Sequence, residues 1–377
     1  MNSSFDDYLS NNLFKTQDFV ILLILIYLSF AIYMSEHVAL YRKHRPTTFD
    51  DVRDQDHIVS VLKGAIAKNT IPHAMLFSGT RGTGKTTLAR IFAKAIGVSD
   101  VDLYEIDAAS NRGIDDIREL REAVHTLPYE SDKKVYIIDE VHMLTKEAFN
   151  ALLKTLEEPP AHVVFILATT EEEKLLDTIL SRCQVFRMHS PSRKVLATMV
   201  TDIAKKEGFT LNPAAADLIA ISADGSFRDA LGVTQKVIMA SGDEIGTADE
   251  VAEIIGAPKS SIMAELLDGI HEKDTQKALV AIQTVVESHG DLKIFTRLLL
   301  ERMRAVMLLR NMPNKSAELL AHFTEADREQ IETIAQTTPS PINSHALLHI
   351  LKASESIGKT QLSHLPLELA VIDICNK

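Results

Sequence analysis

Cysteine is scarce in this chain of 377 residues: Cys183 and Cys375 are the two that occur, and no C-x-x-C pair exists. That excludes a disulfide framework and a four-cysteine zinc knot, and it fits a reducing compartment. Tryptophan is absent, which carries no functional information. Positive charge is outnumbered, with 40 Lys and Arg against 52 Asp and Glu and a formal charge of −12. Such a balance argues against nucleic-acid binding over the whole surface, although a local basic lining needs few donors. The sequence has no internal repeat and no low-complexity tail.

Long hydrophobic runs are also lacking, with one exception. Phe19 to Met34 (FVILLILIYLSFAIYM) carries no charge and is bounded by Asp18 and Glu36. It falls just short of the length that spans a bilayer. A signal peptide fits poorly, because Asp6, Asp7 and Asp18 outweigh Lys15 in the preceding flank and no A-x-A site follows. If it inserted, Arg42, Lys43 and Arg45 would hold the C-terminal side in the cytoplasm. The favoured expectation is translation from Met34, with residues 1–33 a non-native extension and a cytoplasmic protein without a stable membrane partner.

The remaining length exceeds what one hydrophobic core organises, so two or three domains are expected. Residues 40–52 (LYRKHRPTTFDDV) are polar, contain Pro46 and are expected to be extended. Asp54 to Ala67 has helical spacing in Ile58, Val61, Leu62 and Ile66. Strand-like apolar runs follow at Ala74–Ser78, Leu103–Asp107, Val135–Asp139, Val163–Ala168 and Val185–Met188. Helical stretches separate them at Thr86–Gly97, Gly113–Leu127 and Lys146–Leu156. Alternation of this kind predicts a parallel sheet covered on both faces. His189-Ser190-Pro191-Ser192 breaks the pattern, and helical periods alone follow. The longest, Leu292–Leu309, stacks Phe295, Leu299, Met303 and Val306 on one stripe, which reads as core or subunit contact.

Chemistry concentrates at Gly79-Thr80-Arg81-Gly82-Thr83-Gly84-Lys85-Thr86, a G-x-x-x-x-G-K-[ST] loop between a strand and a helix. Its glycines let backbone N–H groups turn toward phosphates. Lys85 is the expected partner of the β- and γ-phosphates and the Thr86 hydroxyl a Mg²⁺ ligand, with Thr87 following on the helix. Val135–Asp139 ends in Asp139-Glu140, an acid pair at a strand's C-terminal end: Asp139 for Mg²⁺, Glu140 for polarising the attacking water. Thr169 and Thr170 place hydroxyls beside that pair. Arg182, before a strand, is a fixed cation that can stabilise charge in cis or across a subunit boundary, although a lone arginine is more often solvated. Arg228 opens a helix from which it can sense a γ-phosphate, and Cys183 reads as a small buried hydrophobe.

These motifs resemble the AAA+ ATPases and, within them, the gamma/tau family of bacterial DNA polymerase III, over about residues 38–377. The runs that carry the resemblance are YRKHRPTTFDDV, LFSGTRGTGKTTLAR, EIDAASNRGIDDIREL, KVYIIDEVHMLTKEAFNALLKTLEEPPAHVVFILATT, ILSRCQVF and GSFRDAL. The resemblance implies an α/β P-loop AAA+ ATPase domain with a parallel sheet flanked by helices over 34–190. A helical lid domain at 191–245 and an all-α C-terminal collar at 246–377 would follow. It implies sensor 1 at Thr170, an arginine finger at Arg182 acting on a neighbouring subunit, sensor 2 at Arg228, and an adenine site lined by Tyr41, Arg45 and Pro46. Ser110, Asn111 and Arg112 would face DNA. The implied function is ATP-driven loading of a sliding clamp onto primer–template DNA, with Mg²⁺ and with delta, delta-prime and further gamma copies as partners. The sequence departs from the family at three places. No four-cysteine zinc module follows the phosphate-loop helix, so no zinc is predicted, and Asp54 replaces a glycine before Gln55. The chain ends after the collar, so a short, gamma-like form is expected. The alternatives are a non-hydrolysing structural subunit similar to delta-prime and a membrane-anchored AAA+ ATPase.

Overall fold

The computed structural model describes residues 38–241, 248–320 and 323–376. The hydrophobic run at 19–34 and the extension at 1–33 lie outside the described residues. Among the described residues no helix is long and apolar enough to cross a membrane. Two compact units divide between Arg45 and Pro46. In the first, the described residues hold one short helix, α1 (Leu40–Lys43), with its basic residues in the last turn.

The elements after α1 belong to the second unit. The stretch expected to be extended is helical in two places, at α1 and in a 3-10 turn at Phe49–Asp51. Proline restricts the residue immediately before it, here Arg45, and leaves its other neighbours unconstrained. The second turn is closed by Asp51, whose carboxylate accepts from the Thr48 hydroxyl and amide at 2.7 and 3.1 Å. Asp54 then takes a left-handed φ of 59°, so helix α2 begins at Asp56 and runs to Ala67.

Five strands form one parallel sheet: β1 (Ala74–Ser78), β2 (Leu103–Asp107), β3 (Lys134–Asp139), β4 (Val163–Thr169) and β5 (Gln184–Arg187), in the order β2-β3-β4-β1-β5. Helices α3 (Lys85–Ala95), α4 (Ile114–Val124), α5 (Lys146–Glu157) and α6 (Asp177–Leu180) lie between the strands. Alternate strand residues face opposite ways. Met75, Phe77, Val135, Ile137, Val164 and Ile166 pack on Ile58 and Leu62 of α2 and Leu88 and Phe92 of α3. Leu76, Tyr136, Ile138, Phe165 and Leu167 pack instead on Ile117 and Leu120 of α4 and Phe149 and Leu152 of α5. Each large apolar side chain buried this way contributes about 1.5–3 kcal/mol, which is why continuous apolar runs become central strands. Because all strands run the same way, Ser78, Asp107, Asp139, Thr169 and Arg187 end at one edge. The β1 chain leaves for the far β2 edge, which opens a crevice at that end.

After β5 the chain is helical. Three helices, α7 (Arg193–Lys206), α8 (Pro213–Ser222) and α9 (Phe227–Ala240), are capped by Ser192, Asn212 and Ser226, each accepting a first-turn amide. Helix α10 (Ala248–Ile255) leads to α11 (Ser260–Glu272), α12 (Thr275–Glu287), α13 (Leu292–Asn311), α14 (Ser316–Leu320), α15 (Glu325–Gln336), α16 (Ser344–Ser356) and α17 (Leu365–Cys375). The stripe of Phe295, Leu299, Met303 and Val306 on α13 is fully buried at the centre of this last group. Arg302 of α13 meets Asp327 of α15 at 2.8 Å in a buried ion pair. Arg297 of α13 donates to the Ile221 carbonyl at 2.8 Å and pairs with Asp224 at 2.7 Å, and Glu301 pairs with Arg193 at 2.5 Å. These contacts join α13 to the α7–α9 group.

Candidate nucleotide site

The loop between β1 and α3 holds its glycines where side chains cannot stand. Gly79, Gly82 and Gly84 have φ of 150°, 77° and 105°. A Cβ on Gly79 would come within 2.8 Å of the Met188 carbonyl, and one on Gly82 within 1.9 Å of the Ser226 hydroxyl. The loop is tied to the sheet by the Gly79 amide, which donates to the Thr169 carbonyl at 3.2 Å. Thr83 donates its hydroxyl to the Thr80 carbonyl at 2.9 Å, while Arg81 is exposed. Helix α3 starts at Lys85, so its first amides and positive dipole end face the loop's concave side, an arrangement that favours a phosphate.

Lys85 is buried and donates to the Gly79 and Thr80 carbonyls at 2.8 and 3.0 Å. Burial pushes its ammonium below the ordinary lysine range, the Glu140 and Asp139 carboxylates oppose that, and Arg228 adds to it. Thr86 donates its hydroxyl to Asp139 Oδ2 at 2.7 Å, joining the loop to the end of β3. Two hard oxygen donors at this separation, with no soft ligand beside them, fit the ligand preference of Mg²⁺. Thr86 and Asp139 are therefore the residues that can hold that ion. Among the described residues no group of three or more His, Cys, Asp and Glu is arranged to hold a metal.

Glu140 follows in the left-handed region at φ 48°. Its Oε2 accepts from the Thr170 hydroxyl at 2.9 Å and the Thr170 amide at 3.2 Å. The expected set Lys85, Thr86, Asp139, Glu140 and Thr170 thus converges on one end of the sheet. Arg228 joins it from α9: the Phe227 amide donates to the Gly82 carbonyl at 3.0 Å, and Arg228 Cβ lies 3.4 Å from where a Gly82 Cβ would stand. Thr80 and Ser190 share a hydroxyl–hydroxyl bond at 2.9 Å on the same side.

Other predicted residues lie elsewhere. Ser110, Asn111 and Arg112 form the turn after β2, wound around Asp107: its Oδ1 accepts the Ala109 amide at 2.9 Å, its Oδ2 the Ser110 hydroxyl at 2.9 Å, and its carbonyl the Asn111 side chain at 3.0 Å. Arg182 precedes β5, at the end of the sheet opposite the phosphate loop, where it pairs with Glu157 at 2.5 Å and donates to the Thr178 carbonyl at 2.7 Å. Tyr41 and Arg45 belong to the first unit, and Pro46 begins the second. Cys183 is half-buried, and burial pushes its thiol up to about 11, which disfavours the thiolate.

Several participants had no separate sequence signal. His142 is buried between Glu140 and Glu171, and Glu172 accepts from Ser78 at 2.7 Å while pairing with Arg187 at 2.5 Å. Asp54 accepts the Ser192 amide at 3.0 Å, so it both tolerates the left-handed turn and anchors the start of α7.

Three family models match consecutive stretches: DNA polymerase III, delta subunit, over 97–192; DNA polymerase III clamp loader subunit, ATPase lid domain, over 196–243; and DNA polymerase III subunits gamma and tau domain III, over 247–377. DNA polymerase III subunit tau of Bacillus subtilis is 35% identical over 362 residues, covering 89% of this chain and 63% of that protein. DNA polymerase III subunit gamma of Buchnera aphidicola is 35% identical over 302 residues, covering 74% of this chain and 81% of that protein. Against tau/gamma of Haemophilus influenzae the identity is 38%, with 76% of this chain and 44% of that protein covered. The chain thus spans roughly half the length of several relatives it matches. Among solved structures, the Thermotoga maritima RuvB Holliday junction branch migration motor aligns at 23% identity and a TM-score of 0.49, over 60% of this chain and 79% of that one.

Proposed function

This chain belongs to the gamma/tau family of DNA polymerase III subunits, and from that membership we propose that it is an ATP-hydrolysing motor subunit of a sliding-clamp loader. The observation that carries the reading is the 2.7 Å bond from the Thr86 hydroxyl to Asp139 Oδ2, with Glu140 next in the chain and Lys85 on the adjoining loop. This supports reading the loop as a phosphate cradle, Thr86 and Asp139 as a cation ligand pair and Glu140 as a general base.

In the proposed reaction the loop amides and Lys85 hold the β- and γ-phosphates of ATP, exchanging the carbonyl contacts of Lys85 for phosphate oxygens. Thr86 and Asp139 hold Mg²⁺, which supplies charge neutralisation at those oxygens when bound. Glu140 draws the proton from the attacking water, and Thr170 orients the carboxylate. Arg228 reaches the γ-phosphate from α9. Arg182 serves a neighbouring subunit's ATP, a role suited to its place at the far end of its own sheet. The proposed domains are an ATPase core over 34–190, a lid over 191–245 and a collar over 246–377. The proposed partners are delta, delta-prime and further gamma copies, the clamp, and primer–template DNA reached by Ser110, Asn111 and Arg112. The site of action is the cytoplasm.

The test is nucleotide binding and hydrolysis by the full chain assembled with its loader partners, clamp and primed DNA. Lys85→Ala is expected to abolish ATP binding, and Glu140→Gln to keep binding while hydrolysis falls about 10²–10⁴-fold. Binding without hydrolysis by the unsubstituted assembly would leave the structural, delta-prime-like reading in its place.

A further inference from the structure

The 3-10 turn Val141–Met143 puts an imidazole directly behind the proposed base. His142 has a side chain only 5% exposed, with Nδ1 3.5 Å from Glu140 Oε2 and Nε2 3.3 Å from Glu171 Oε1. Its Nδ1 also forms a 2.9 Å hydrogen bond with the buried Thr169 hydroxyl at the end of β4. A carboxylate can only accept, so the proton on Nε2 faces Glu171, and the ring's orientation follows. That hydroxyl in turn accepts the Glu171 amide at 3.0 Å, and Lys174 holds the Glu171 carboxylate at 2.5 Å. The ring is thus held at both of its nitrogens.

What it backs is a residue that needs holding. Glu140 occupies a left-handed conformation at φ 48°, which a non-glycine residue keeps when its surroundings determine it. The Thr170 amide and hydroxyl both donate to Oε2, and the imidazole edge packs 3.5 Å from that same oxygen. These contacts leave Oε1 as the other carboxylate oxygen. A base effective at proton transfer must be held at the productive angle, and misplacement by about 1 Å can cost on the order of 100-fold.

We propose that His142 is a positioning residue, which fixes the Glu140 carboxylate against the end of β4 so that Oε1 takes the water's proton. The inference rests on the reading of Glu140 as the general base. It requires no change in nucleotide contact, because His142 faces the two carboxylates and Thr169 rather than the phosphate loop.

The experiment measures steady-state ATP hydrolysis and binding of a non-hydrolysable ATP analogue by the full chain, assembled as for the unsubstituted protein. His142→Ala is expected to lower kcat about 10- to 100-fold with KM and analogue affinity within about twofold. His142→Asn, whose amide can still reach the Thr169 hydroxyl, recovers part of kcat. In a Glu140→Gln background, adding His142→Ala changes nothing further, because the group being positioned is already gone. Unchanged kcat in His142→Ala overturns the proposal, as does an equal additional loss in the Glu140→Gln background. A fall in analogue affinity that matches the fall in kcat overturns it too, since that is the mark of a purely structural role. If His142→Ala does not fold, the kcat and affinity of His142→Asn decide by the same criteria. Normal hydrolysis by Glu140→Gln would instead remove the reading of Glu140 itself.

Discussion

Single residues in this chain are positioned by hydrogen-bond capacity more than by charge count, and Asp102 shows how. It is fully buried just before β2, with the amides of Tyr129, Glu130 and Ser131 donating to its carboxylate at 2.7–2.9 Å. Burial alone raises such a carboxyl, but these amides and the Ser131 hydroxyl together outweigh it and pull the group from its ordinary 3.8 to about 2. The sign follows from proton counting. Between about pH 4 and pH 2 the unfolded chain binds a proton that the folded chain refuses, so stability drawn from Asp102 is complete above that window and lost on descending through it. Asp102→Asn leaves one of two acceptor oxygens against three amides and the Ser131 hydroxyl and is expected to cost on the order of 1–3 kcal/mol at pH 7. Thermal unfolding across pH 2 to 7 checks this: the variant should melt lower at pH 7 and lose less than the parent between pH 4 and 2. Equal slopes in that window would disprove the assignment.

At the scale of elements, the join between α9 and the phosphate loop is the contact with the largest functional consequence. Ser226 caps α9 through the Asp229 amide at 3.1 Å, which leaves the Phe227 amide to bond the Gly82 carbonyl at 3.0 Å. Gly82→Ala would force a methyl to within 1.9 Å of the Ser226 hydroxyl at a φ of 77°. The substitution is expected to cost roughly 1–3 kcal/mol locally and to push α9 from the loop. Hydrogen exchange should then show faster exchange at Phe227 and Arg228, with weaker ATP binding, while the β3 and β4 amides keep their protection. Protection unchanged at Phe227 would mean that the loop moves instead. This join also marks where sequence reading ran out. The five strands were legible because buried parallel strands are apolar runs, and the meeting of Lys85 and Thr86 with Asp139 and Glu140 because a glycine loop after one strand and an acid pair ending another fall at the same end of a parallel sheet. Helix α1 was not legible, since four residues with one buried apolar side chain, Leu40, show no period and Pro46 invited an extended reading. Nor were Ser226 against Gly82, or His142 against Glu171: such pairs meet through tertiary folding, and neither leaves a spacing that a linear pattern can reveal. His142 stood inside a motif already quoted, yet its neighbours from β4 gave it meaning.

Across the whole molecule, the crevice at the strand ends lacks one part that the proposed chemistry calls for, a cation against the transition state from outside. Arg228 approaches from α9, but Arg182 stands at the other end of the sheet, paired with Glu157 at 2.5 Å. That pair is partly solvated, so it holds the side chain in a defined place without contributing much to stability. A guanidinium held at the N-terminal end of the strands, opposite its own phosphate loop, is suited to a neighbour's loop, in an assembly where each copy follows the last head to tail. Charge stabilisation of this kind acts in the transition state and hardly at all on ground-state binding. Arg182→Ala is accordingly expected to leave ATP affinity unchanged and to lower DNA-stimulated hydrolysis roughly 10³-fold in the assembled loader. Mixing decides the direction of action. Assemblies that combine Arg182→Ala chains with Lys85→Ala chains hold some sites in which an intact Lys85 loop meets an intact Arg182 from the next copy, and these should recover turnover as the mixing ratio allows. Full stimulated turnover by Arg182→Ala alone would remove the trans role, and no recovery on mixing would place its effect within its own chain.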